Sequence, residues 1–357
     1  MTVAPVIRRP AADVAARPGR HGRARVVTIT LALAILVVAS AVVGIMVGSA
    51  SLTVPDVVRT LVGAGSSGEQ LIVLDLRLPR VVGAVAVGAC LGLAGALTQT
   101  FARNPLATPD ILGVTSGAAL GAVSAIVLAG GAYSVSAGLL TVGVPAAATL
   151  GALVTAVVVY GLAWREGVDG YRLILIGIGV TATLGGLTSY LVARAQITEA
   201  AAATQWLVGS LSGISWASVG PVCVVFAVVA PVALLQSRDL EVSRLGDEVS
   251  VGLGVHVQRH RFVLIACAVA LTAAAVSASG PIEFVAFVAP QIARHLTRAG
   301  RPPLVASALA GALVVGGGDV AARMAPHEIP VGIVTAVVGA PYLIWLVARR
   351  HGKEALA

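Results

Sequence analysis

Charge is scarce in this chain. Only 11% of its 357 residues are Asp, Glu, Lys or Arg, against 57% hydrophobic. A soluble domain carries about a quarter charged residues, so a water-soluble globular fold is excluded and an all-α polytopic membrane protein is left. Lysine is nearly absent: Lys353 is the only one, and Glu354 follows it. A P-loop needs Gly-Lys-[Ser/Thr] to bring a lysine to the phosphates, so this chain holds none. Aromatics make up 4%, and the interior must pack on Ala, Val, Leu and the 41 glycines, which let spanning helices approach closely. The three cysteines, Cys90, Cys223 and Cys267, each sit in an apolar segment without metal-like spacing and read as small buried hydrophobes. No His-Glu-x-x-His and no nucleophile elbow occurs. His256 and His260 are four apart in an arginine-rich loop and read as a solvated face rather than a zinc site.

What is there is a series of apolar runs. About 20 apolar residues cross the hydrocarbon, and ten runs qualify: 26–48, 81–101, 111–131, 138–163, 172–194, 217–236, 262–280, 282–297, 303–324 and 331–348. The eighth is short and starts at Gly280-Pro281, so it is expected to be tilted or broken. An even count puts both termini on one side. With the N-terminus inside, 19 of the 24 basic residues are inside, and Arg59, Arg77, Arg80, Arg194 and Arg323 are outside. That split obeys the positive-inside rule and accounts for the net charge of +8 without nucleic-acid binding. Residues 1–25 form a basic tail, read as disordered or lying on anionic lipid. Residues 26–350 form the membrane domain and 351–357 a short cytoplasmic tail. The first run is too long for a signal-peptide core and reads as a retained span.

A charged island, residues 238–261, interrupts the oily chain on the side assigned to the cytoplasm. Within it Ser243-Arg-Leu-Gly-Asp-Glu-Val-Ser-Val-Gly-Leu-Gly254 reads as a short helix. Ser243 is its N-cap, Asp247 and Glu248 lie in the early turns, and Gly252 and Gly254 are its stops. Leu245, Val249 and Gly252 share one side. Such a helix is an offer to a soluble partner; an ordinary solvated loop is the plainer alternative. Two acids fall inside apolar runs, where charge is costly. Asp319 has Arg323 one turn later, an i, i+4 pair. Glu283 follows the Gly280-Pro281 break and faces either a central cavity or a structural partner. Clusters such as Gly88-x3-Gly92, Gly117-x3-Gly121 and Gly316-Gly-Gly318 read as helix packing.

A set of fragments runs through nearly the whole chain: Arg77-Leu-Pro-Arg80; Gly95-Ala-Leu-Thr-Gln99; Arg103-Asn-Pro-Leu-Ala-Thr-Pro-Asp110; Leu112-Gly-Val-Thr-Ser-Gly117; Leu245-Gly-Asp-Glu248; Gly280-Pro-Ile-Glu-Phe-Val-Ala-Phe-Val-Ala-Pro290; Asp319-Val-Ala-Ala-Arg323; and Gly339-Ala-Pro341. In this order it resembles the permease subunits of ABC importers for iron chelates and cobalamin. The stretches 163–179 and 104–110 are most similar to the ferric-enterobactin, catecholate type. The resemblance implies a chain that is not an enzyme and binds no cofactor. By the same resemblance it would work in a bacterial cytoplasmic membrane with a second permease subunit, two cytoplasmic ATPases that bind ATP and Mg, and an extracytoplasmic binding protein. It implies that Arg244, Leu245, Gly246, Asp247, Glu248, Val249, Gly252, Leu253 and Gly254 form the ATPase-coupling element. Arg77, Arg80 and Arg323 would dock the binding protein, and Asn104 and Leu106 would gate the cytoplasmic end. The family's histidine is replaced here by Gln291. For Arg80 and Arg323 interfacial snorkelling is the alternative role. The alternative cargoes are cobalamin, haem or a hydroxamate siderophore. The alternative class is an ATP-independent proton-coupled transporter, which would need more intramembrane acids than Glu283 and Asp319.

Overall fold

The structure is a computed structural model that describes residues 20–48, 52–128, 143–165, 167, 170–243 and 246–354. Among these residues it is helical, without strands. Ten long helices stand where the ten apolar runs lie: α1 (Arg20–Met46), α4 (Leu78–Phe101), α5 (Val114–Leu128), α6 (Val144–Ala163), α7 (Gly170–Arg194), α9 (Trp216–Leu235), α12 (Val257–Ser279), α13 (Val285–Thr297), α14 (Leu304–Met324) and α15 (Val331–Glu354). Seven helical stretches are long and apolar enough to cross a membrane; α5 and α15 add shorter apolar stretches. Helix α1 begins at Arg20, earlier than the apolar run itself.

Five short helices are additions: α2 (Val54–Leu61), α3 (Ser67–Gln70), α8 (Ile197–Leu207), α10 (Ser237–Val242) and α11 (Asp247–Gly252). Helix α3 runs through a π-helical stretch, Leu71–Arg77, straight into α4. Capping boxes open α2 and α3. Asp56 accepts from the Thr53 N–H at 3.0 Å and Glu69 from the Ser66 N–H at 2.7 Å.

Helix α4 is the centre of the bundle. Its chain from Gly83 to Thr100 is buried almost throughout, while α1 and α7 leave most of their apolar surface open. Small residues explain why α14 can lie so close to it. A Cβ on Gly88 would strike the Gly311 carbonyl, one on Gly92 the Ser307 carbonyl, and one on Gly311 the Gly88 carbonyl. Against α13 the contact is made by Gly95, which faces the Ala286 carbonyl. That carbonyl lacks its usual helical donor because Pro290 has no N–H. A second core joins α5, α6 and α12 around Ala118, Ala122, Ala148, Ala152 and Val276.

The expected break before the eighth span is present. Gly280 (φ 69°) ends α12, Phe284 (φ 64°) opens α13, and the backbone between them is not helical. Unwound backbone at membrane depth needs internal partners. Here the Ser210 N–H donates to the Ser279 carbonyl at 2.8 Å and the Gly332 N–H to the Gly209 carbonyl at 3.1 Å. Pro281 and Ile282 are buried in this knot, and Glu283 is exposed on it.

Candidate functional site

The fold gathers its polar side chains at its two ends. At one end α1 finishes against three arginines. Val43 O accepts from the Val47 N–H, and the four carbonyls that follow it accept from arginine side chains. Arg77 Nη1 donates to Ile45 O (2.7 Å) and Met46 O (3.2 Å), and Arg323 Nη1 donates to Gly44 O (2.9 Å) and Val47 O (2.8 Å). Two positive groups at a helix C-terminus also oppose its dipole. Arg80 grips Asp319 with a fork: Nε to Oδ1 at 2.9 Å and to Oδ2 at 3.2 Å, and Nη2 to Oδ1 at 2.8 Å. Arg323 Nε lies 3.1 Å from the other Asp319 oxygen, the one-turn pair expected from sequence. Arg80 also meets Glu328 at 2.7 Å.

The three arginines expected to dock a binding protein thus have partners inside the chain, and Arg77 is 6% exposed. The last carbonyls of α1 and the buried Asp319 accept from these arginines. Nothing in the sequence joins Arg80 to Asp319, 239 residues away. Glycines at 44 and 48 make the room, since a Cβ there would meet the guanidiniums of Arg323 and Arg77.

At the other end lie the charged island, the loop after α4 and the loop after α13. The island holds two helices rather than one. Residues 237–242 are already helical as α10, so Ser243 closes that helix, its Oγ donating to Leu240 O at 3.0 Å. The N-cap position of α11 belongs to Gly246 (φ 105°), which corrects the Ser243 assignment. Asp247 and Glu248 do open α11, and Gly254 (φ 83°) lies just past its end; Gly252 is its last helical residue. Glu248 is exposed, as are Val249 at 47% and Leu253 at 61%. Ser250 is buried and donates to Gly246 O at 2.7 Å and Val242 O at 3.2 Å, fastening α11 to α10. Arg244 and Leu245 lie outside the described residues. His260 is not solvated: it is 5% exposed, with Nδ1 2.9 Å from Gln236 Oε1. His256 is exposed.

The loop after α4 lies against the island. Asn104 Oδ1 accepts from the Leu106 N–H at 2.9 Å, a local turn that leaves Leu106 43% exposed. Arg103 Nη2 donates to Ser243 O at 2.6 Å. Gln291 Nε2 of α13 donates to Pro105 O at 3.0 Å and to Gln99 Oε1, while Gln99 Nε2 donates to Phe287 O at 3.1 Å. Thus Gln291 anchors the loop after α4 to α13. No local sequence signal marks this link, because the partners stand far apart in the chain. Arg301 of the third loop reaches Glu241 at 3.3 Å.

Ten long apolar helices, with α4 buried among them, define a polytopic membrane protein. The chain belongs to the FecCD transport family, matched over residues 31–349. It is 38% identical over 313 residues to the ferric enterobactin transport system permease protein FepG of Escherichia coli, covering 87% of this chain and 92% of that protein. It is 38% identical to the siderophore transport system permease YfhA of Bacillus subtilis over 329 residues, 90% of this chain and 95% of that protein. It is 40% identical to the cobalamin import permease BtuC of Halobacterium salinarum over 284 residues, 79% of this chain and 74% of that protein. Among solved structures, an inward-facing metal-chelate type ABC transporter superposes with a TM-score of 0.77 at 29% identity, covering 90% of this chain and 99% of that one. The chain is therefore a multi-pass membrane permease of an iron-chelate or cobalamin ABC importer. It is not an enzyme; ATP is hydrolysed on separate subunits.

Proposed function

We propose that this permease carries a ferric siderophore of the catecholate type into the cytoplasm. The observation that supports this cargo is the 38% identity to the ferric enterobactin permease across 92% of that protein's length. Relatives named for hydroxamate and cobalamin cargo stand at 36% and 40%, so overall identity does not separate the cargoes and the cargo must be tested directly. The working assembly is two permeases, here a heteromeric pair, with two ATPases on the face bearing α10 and α11. That face is cytoplasmic by the distribution of arginines. Helix α11 fills a cleft of the ATPase with Val249 and Leu253, and Asn104 and Leu106 narrow the pathway above it. The binding protein docks at the opposite end. Its contact there is Arg80, which a carboxylate of the binding protein takes by displacing the half-exposed Glu328, while Arg77 and Arg323 hold α1.

The test is radio-iron uptake by source cells with and without the gene, offered ferric enterobactin, a ferric hydroxamate and, separately, labelled cobalamin. Selective loss of enterobactin uptake is expected. Loss of hydroxamate or cobalamin uptake alone replaces the cargo and keeps the class. Uptake that survives ATP depletion but falls with a protonophore refutes the ATP-driven reading.

A further inference from the structure

We infer that Arg103 is the strut that carries movement of the ATPase-coupling element to the gate loop. This inference rests on the permease reading above. Asn104 stands between two anchors of different origin. On one side Arg103 Nη2 holds the carbonyl of Ser243, the residue that joins α10 to the segment leading into α11. On the other side Pro105 O is held by Gln291 of α13. The first anchor belongs to the element that the ATPase moves; the second belongs to a helix packed on the central α4 through Gly95 and the Gln99–Gln291 pair. A shift of α10 and α11 relative to α13 therefore falls across one residue, Asn104. The turn that fixes Leu106 is made by the same Asn104 side chain.

Two features suit Arg103 to this work. Its backbone is left-handed (φ 49°), a conformation sparsely populated by residues with a Cβ and kept where the surroundings over-determine it. A guanidinium-to-carbonyl bond is charge-assisted and directional, so it transmits position better than apolar contact does.

The experiment uses the assembled transporter, permease pair with ATPases, in proteoliposomes. Two quantities are read on Arg103→Ala and Arg103→Lys. One is ferric enterobactin taken up per ATP hydrolysed in the presence of the binding protein. The other needs no cargo: the rate at which Leu106→Cys reacts with a membrane-impermeant maleimide, with and without ATP and vanadate. The expected result for Arg103→Ala is hydrolysis within about twofold of the parent and an uptake-to-hydrolysis ratio lower by about tenfold, the equivalent of about 1.4 kcal/mol. Its Leu106→Cys labelling should no longer respond to ATP. Arg103→Lys keeps the charge but loses the fork, and should fall between. If Arg103→Ala does not assemble, Arg103→Lys is read alone by the same two measures. An unchanged ratio with ATP-responsive labelling in the variants overturns the strut. Labelling that ignores ATP in the parent itself refutes the permease reading at this gate instead. No enterobactin uptake by the parent refutes only the cargo, because the labelling arm still decides on Arg103.

Discussion

Replacing Asp319 with leucine removes the one carboxylate that two buried guanidiniums share. Asp319 is 1% exposed, accepts a fork from Arg80 at 2.8–3.2 Å and lies 3.1 Å from Arg323 Nε. Removing one partner of a buried pair costs about 3–5 kcal/mol, because the other charge stays buried without it. The lower end applies here. Arg80 keeps Glu328, and Arg323 keeps the carbonyls of Gly44 and Val47. A loss of about 3 kcal/mol corresponds to a melting temperature lower by roughly 6–12 °C, at about 2–4 °C per kcal/mol for a large domain. The assay is fluorescence-detected size-exclusion after stepwise heating in detergent. Arg80→Leu and the double variant Arg80→Leu/Asp319→Leu complete a cycle. The double variant should melt less than the two single losses together, with a coupling of about 2 kcal/mol, since contacting residues are not additive. Asp319→Leu melting within about 2 °C of the parent, or single losses that simply add, would refute the picture of a desolvated shared carboxylate.

Arg77→Glu places an acid against the carbonyls of Ile45 and Met46, so folding and membrane yield should fall before any docking effect is seen; Arg77→Gln, which keeps a donor, should recover most of the yield on a fluorescence blot. Gly92→Leu drives a side chain into the Ser307 carbonyl and should cost at least 3 kcal/mol or abolish assembly, whereas Gly185→Ala, open on α7, should melt like the parent. The Thr53 hydroxyl and then its N–H hold the Asp56 carboxyl below its usual range. A group with a lowered folded pKa stabilises above its unfolded value, about 3.9, and loses that support as pH falls through the folded one. Hydrogen exchange of the α2 amides should therefore be steady from pH 7 to 5 and quicken below about 3.9 relative to intrinsic rates; an equal change in Asp56→Asn would sink this.

The spans were legible because hydrocarbon thickness demands long apolar runs and little else in a chain satisfies it. The broken eighth span was legible from Gly280-Pro281, and the Asp319–Arg323 pair from its one-turn spacing. The short helices were signalled only faintly. Thr53-x-x-Asp56 and Ser66-x-x-Glu69 are capping boxes that mark α2 and α3, but they stand between spans where hydropathy says nothing. Helix α11 was read with its start too early, since a Ser before acids is a good N-cap and the left-handed Gly246 has no distinct spelling. Contacts made across the bundle left no local mark. Arg80 with Asp319, Arg103 with Ser243 and Gln291 with Pro105 each join residues at least 140 apart.

The arginines at the α1 end have a reason for their place inside the chain itself. Counted as charges, Arg77, Arg80 and Arg323 go against the bias that places basic residues on the cytoplasmic side. That made a binding partner the natural reason for keeping them. Their geometry supplies a reason inside the chain. Helix α1 ends on glycine-spaced turns with no basic residue of its own in the last turn, and its carbonyls would face a bundle with little water to satisfy them. Lysine offers a point charge; arginine reaches two carbonyls from one nitrogen and still faces a carboxylate with another, as Arg323 does. The topological cost of these charges is thus offset by the capping of α1 and the neutralisation of Asp319. The docking surface proposed for this end has to be built around groups already engaged, and the proposal assigns it to Arg80 because its partner Glu328 is the exposed one.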